Sequence, residues 1–85
     1  MLTFEHTIKD PVGLHAKPAR QLAEIVRHLD SKVMICAQDR SADAAKLIRV
    51  ISMGLVTGTK ITVTIEGGDE QRAMDELHRF FSEKV

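Results

Sequence analysis

Apolar and polar residues alternate from the start of the chain, with Leu2, Phe4 and Ile8 set against Thr3, Glu5 and Thr7. A period of two buries one face and predicts a first strand. His6 falls in phase with the apolar set and reads as a satisfied, partly buried histidine rather than a ligand. Asp10-Pro11-Val12-Gly13 breaks the strand and turns the chain. Ala19, Leu22, Ala23, Val26 and Leu29 then recur at helical spacing, which predicts a first helix from about Ala16 to Leu29. A second strand is expected over Lys32 to Ala37, a polar connection over Gln38-Asp39-Arg40, and a short extended partner over Ser41 to Asp43. Lys46 to Met53 reads as a short helix with Leu47, Val50 and Ile51 on its inner face and Gly54 as its stop. Thr57-Gly58 is a turn. Ile61, Val63 and Ile65 alternating with Thr62 and Thr64 give the clearest strand. Gly67-Gly68 ends it, and Asp69 caps a last helix whose apolar face is Ala73, Met74, Leu77, Phe80 and Phe81.

The order is strand, helix, strand, strand, helix, strand, helix. Strands with one apolar face and helices with one apolar stripe pack as two layers, an α+β sandwich. At 85 residues the chain is expected to form a single domain spanning residues 1–85, near the lower size limit for folding without staples.

Composition narrows the function. Twelve basic and twelve acidic residues cancel, so no global field draws the protein onto nucleic acid. Trp and Tyr are absent and only three phenylalanines are present, which leaves almost no rings for base stacking. A single cysteine excludes an internal disulfide or a cysteine-based metal site and fits a reducing cytoplasm. Cys36, among Val33, Met34, Ile35 and Ala37, reads as a small buried strand residue. The first residues lack the pattern of a signal peptide, and no apolar run approaches the ~20 residues that span a bilayer. A cytoplasmic location without membrane insertion is expected.

The candidate chemistry lies in Gly13-Leu14-His15-Ala16-Lys17-Pro18-Ala19. Proline is favoured in the first turn of a helix, where its missing N–H has no intrahelical partner. His15 therefore stands at a helix mouth, where free N–H groups over residues 16 to 18 and the positive end of the macrodipole attract anions, phosphate above all. Lys17 adds a full positive charge. An imidazole beside such a cradle suggests a histidine that carries a phosphoryl group. By itself the constellation is not diagnostic, because a histidine near a helix start is ordinarily a surface residue.

The same run resembles the active-site segment of the HPr family, the histidine-containing phosphocarriers of the bacterial phosphoenolpyruvate:sugar phosphotransferase system. The likeness extends to the length, the element order, Leu47…Gly54-Leu55…Gly58-Thr59 and Glu66-Gly67…Asp69-Glu70-Gln71. It implies an open-faced β-sandwich, a four-stranded antiparallel sheet with three helices on one face. It implies that His15 accepts a phosphoryl group on Nδ1 from enzyme I, itself charged by phosphoenolpyruvate, and hands it to a histidine of a sugar-specific enzyme IIA domain. Ala16, Lys17 and Pro18 are then the phosphate-binding positions, with Lys17 beside His15 in the reaction. No metal or other cofactor is implied, and the protein is a relay member, expected as a monomer, rather than a stand-alone enzyme.

Two positions depart from the family pattern. Lys17 stands where arginine is usual, which keeps the charge but loses the planar fork that binds phosphate bidentately. Lys46 stands where many Gram-positive members carry a regulatory serine, so control by phosphorylation there is not expected. Asp39 occupies a hairpin position that is often glycine, and aspartate tolerates a left-handed turn. The partner surface is expected around His15, with Arg20 and Arg27 from the first helix and Lys46, Leu47, Ile48 and Arg49 from the short one. An apolar centre with a basic rim suits a transient interface with acidic proteins. The competing reading is a non-catalytic HPr-like regulatory domain that binds partners without relaying phosphate.

Overall fold

The computed structural model describes residues 1–85 and contains seven elements: β1 (Leu2–Thr7), α1 (Ala16–Arg27), β2 (Lys32–Ala37), β3 (Arg40–Asp43), α2 (Leu47–Ser52), β4 (Lys60–Glu66) and α3 (Glu70–Lys84). The strands form one antiparallel sheet in the order β1-β4-β2-β3. One face is covered by the helices and the other is open, which is the open-faced α+β sandwich.

Register explains which side chains go inside. Leu2, Phe4 and His6 lie opposite Ile65, Val63 and Ile61, and Val33 and Ile35 lie on the other side of the same β4 residues. These positions share the helix-covered face, where Val33, Ile35, Ile61, Val63 and Ile65 are fully buried. From the helical layer come Ala19, Leu22 and Val26 of α1, Val50 of α2, and Ala73, Leu77, Phe80 and Phe81 of α3. Phe81 anchors the seam between α3 and β1, with ring centroids 6.0 Å from Phe4, 5.3 Å from His6 and 5.4 Å from Phe80. Full burial of such a ring contributes about 2–3 kcal/mol. The short helix meets the core mainly through Val50; Leu47 and Ile51 are half-buried.

Period two also corrects the reading of Cys36. With Val33, Ile35 and Ala37 inside, Cys36 alternates to the open face, opposite Thr62, where it is half-buried. In the β2–β3 hairpin the left-handed residue is Gln38, with φ 55°, and not Asp39. Asp69 caps α3 as its position suggested, accepting the Arg72 N–H at 3.1 Å.

Candidate functional site

The segment between β1 and α1 is tied down on two sides. Ile8 extends the first strand by donating to Thr59 O (3.0 Å) and accepting from the Gly58 N–H (2.8 Å). The N–H groups of Lys9 and Asp10 both donate to Val85 O, at 2.7 and 2.8 Å, so the end of α3 clamps the chain where it turns. Asp10 then organises the turn: its Oδ1 accepts the Val12 N–H (2.8 Å), and its carbonyl accepts from the Gly13 N–H (2.9 Å) and the Thr57 hydroxyl. Buried Leu14 donates its N–H to Leu55 O at 2.9 Å. Gly13 is required here, because it has φ +82° and a Cβ would collide with Leu55 O and Val56 Cα.

This scaffold delivers His15 to the N-cap of α1 in an extended conformation (φ −93°, ψ −170°). Its carbonyl accepts the Ala19 N–H at 3.0 Å, which starts the helix, while its side chain caps nothing. The imidazole is thus left available, half-exposed at the helix mouth. The N–H groups of Ala16 and Lys17 have no intrahelical acceptor. Pro18 offers no donor, since its ring nitrogen carries no hydrogen. The expected N–H groups over residues 16 to 18 are therefore two, and Pro18 contributes a fixed φ and a buried ring instead.

Beside His15 lies a hollow of about 370 Å³ lined by Asp10, His15, Lys17, Pro18, Gln21 and Lys84. The structure brings His15, Lys17 and Pro18 together as the sequence suggested, and adds Asp10, Gln21 and Lys84. Arg20 points elsewhere, pairing with Glu24 at 3.5 Å. Arg27, Lys46, Leu47, Ile48 and Arg49 gather with Ala45 around a separate hollow of about 560 Å³ between α1 and α2. Arg27 ties α1 to the connection between β3 and α2 there by donating to Ala45 O at 3.2 Å. Ile48, 71% exposed, lines the same hollow as these cations.

The other histidines are engaged differently. His28 sets Nδ1 2.7 Å from Glu24 O, and His78 presents its ring to Phe4 with centroids 5.5 Å apart. His6 is partly buried as expected, but it is not satisfied, because its Nε2 is buried without a partner.

An open sandwich with an uncapped imidazole beside unpaired helix-mouth donors and a lysine defines a class: a small protein whose site can hold an anionic group next to a histidine. Comparison with known proteins gives the family. The model described as "PTS HPr component phosphorylation site" matches residues 2–83, and the chain belongs to this HPr family. The chain is 34% identical to the phosphocarrier protein HPr of Mycoplasma capricolum over 77 residues, covering 91% of this chain and 86% of that one. A solved mycoplasma histidine-containing phosphocarrier protein superposes with a TM-score of 0.90 at 32% identity, over 93% of this chain and 90% of the other. The chain is also 39% identical over 74 residues to the multiphosphoryl transfer protein of Xanthomonas campestris, matching 87% of this chain but spanning only 9% of that longer protein. Family membership makes the protein a phosphocarrier of the phosphotransferase system.

Proposed function

We propose that His15 is the residue that carries the phosphoryl group, accepting it from enzyme I and passing it to a histidine of a sugar-specific enzyme IIA. In each step a ring nitrogen attacks phosphorus while the bond to the donor histidine breaks, so the phosphoryl group moves between imidazoles. The transition state is loose and highly charged, and a protein assists it by positioning and electrostatics. Here Ala16 and Lys17 offer N–H groups, and the Lys17 side chain adds a cation. Two donors and a flexible lysine grip phosphate only moderately, which suits a shuttle that must release its cargo. Support for the docking face comes from Arg27, Lys46, Leu47, Ile48 and Arg49, which share one hollow that includes the exposed apolar Ile48. Such a face fits acidic patches on both partners, with Arg20 at its margin. No helix is long and apolar enough to cross a membrane; the reading is of a cytoplasmic, monomeric, single-domain carrier working without metal.

The observation that carries this reading is the uncapped His15 imidazole beside the free donors of α1. It speaks against a purely regulatory domain, which has no use for an open acceptor. Incubation with phosphoenolpyruvate, enzyme I and an enzyme IIA tests it. Phosphate should reach enzyme IIA with the parent protein and not with His15→Ala, whose fold by circular dichroism should match the parent. Relay by the folded His15→Ala variant would end the assignment.

A further inference from the structure

The hollow beside His15 collects charges that lie far apart in the sequence: Asp10 from the turn, Lys17 from the first turn of α1 and Lys84 from the last turn of α3. The Asp10 carboxylate accepts the Val12 N–H and belongs to the lining, so its charge offsets that of Lys17. With Lys17 alone the lining would be formally neutral; Lys84 makes it cationic. The backbone of Lys84 is fixed at this rim. Its neighbour Val85 is buried, donates its N–H to Phe81 O at 3.3 Å and accepts from the Lys9 and Asp10 N–H groups. Only the side chain is free. Lys84 is exposed and takes part in none of the ion pairs, which join Met1 to Glu70, Arg20 to Glu24, Lys60 to Glu5 and Arg72 to Glu76. It also borders a second, smaller hollow with Glu76, Arg79 and Glu83, and its four-carbon stem reaches either side.

We propose that Lys84 is a second cationic ligand for the phosphoryl group on His15, sharing with Lys17 the charge that develops on the phosphoryl oxygens. This rests on His15 being the acceptor. The division of labour follows from lysine chemistry: each ammonium is a point charge on a flexible stem, so two of them, from α1 and α3, hold a tetrahedral group better than one. The hydrogen bonds to Val85 O tie the end of α3 to the turn that precedes His15 and so keep Lys84 at the site.

The test uses phosphoramidate, a small donor that needs no protein partner. Its P–N bond breaks, a ring nitrogen of His15 takes the phosphoryl group, and the ring proton leaves with ammonia. Rates are measured for the parent, Lys84→Gln, Lys84→Arg, Lys84→Glu and the charge-matched control Lys32→Gln at the exposed first residue of β2, with the site mapped by mass spectrometry. Loss of one exposed ionic contact predicts about a threefold slowing for Lys84→Gln. Lys84→Glu should be slower still, Lys84→Arg should retain the rate, and Lys32→Gln should match the parent. In phosphorus NMR titrations the phosphoryl group should hold its second proton to higher pH in Lys84→Gln than in the parent. High salt should shrink these differences. Parental rates and titrations in both Lys84→Gln and Lys84→Glu would overturn the proposal, as would an equal slowing in Lys32→Gln, which reports net charge alone. If the parent itself takes no phosphate on His15, the acceptor assignment fails, and the role of Lys84 falls with it.

Discussion

The mouth of α1 and the seam between β1 and α3 each hold a histidine close to the same turn, and they treat it in opposite ways. At the seam, His6 lies on the helix-covered face of the sheet with its ring against Phe81. Burial holds its pKa below the usual 6.5, the nearby Lys9 and His78 push the same way, and the Val85 backbone opposes them. Burial thus disfavours the charged form of that ring, and its Nε2 is shut away from solvent. At the mouth, His15 caps nothing and opens on a polar hollow with two unpaired N–H groups and Lys17. The side chain is identical in both places; the surroundings pack one against Phe81 and leave the other open, as the role proposed for His15 requires.

The contrast is broken most severely at the mouth. Lys17→Glu places a carboxylate beside the position proposed for the phosphoryl group, and transfer from enzyme I should fall by well over the roughly tenfold that ~1.4 kcal/mol represents. Lys17→Arg should move the rate the other way, by up to about tenfold, because the guanidinium fork binds phosphate bidentately. Stopped transfer assays decide both, and an unaltered rate in Lys17→Glu would make residue 17 plain surface. Next comes the scaffold. Gly13→Ala forces a Cβ into Leu55 O and Val56 Cα at a positive φ and should cost about 2 kcal/mol or more in urea unfolding; a loss under ~0.5 kcal/mol would mean the loop yields freely.

A smaller effect is expected at the α1–α2 hollow. Lys46→Glu reverses one charge on the rim and should weaken enzyme I binding by severalfold, with an altered salt dependence seen by calorimetry at two ionic strengths. Unchanged affinity would remove α2 from the interface. The smallest effect belongs to the seam. Since folded His6 titrates below 6.5, the unfolded chain binds the proton first, so stability should be fully present above about pH 6.5 and decline as pH falls below it. In His6→Phe this part of the slope should vanish. A slope that persists unchanged would place its origin in other groups.

Much of this was legible along the chain because it is local. Alternation marked β1, β2 and β4, and helical spacing with Pro18 and Asp69 marked the starts of α1 and α3. His15 and Lys17 were visible because a helix mouth is defined by neighbouring residues. What was not legible depends on contacts between distant segments. Nothing near Lys84 signals that α3 ends beside the β1 turn, so Lys84, Asp10 and Gln21 were absent from the expected site. His6 was in phase with the core, yet its unpartnered Nε2 follows only from how α3 packs over β1. Cys36 was misread because its apolar neighbours outweighed its phase in the alternation. The left-handed turn residue fell on Gln38 because the pairing of Ala37 with Arg40 leaves the first of the two connecting residues to reverse the chain.

On the proposed function, surroundings, and not the presence of an imidazole, select the phosphorylated residue among His6, His15, His28 and His78. Peptide mapping of the protein after brief reaction with phosphoenolpyruvate and enzyme I, kept at alkaline pH to preserve phosphohistidine, tests it most directly. One acid-labile phosphoryl group on the peptide containing His15, with the other three histidines unmodified, is the predicted result. Phosphate on His6, His28 or His78, or none on His15, would contradict it.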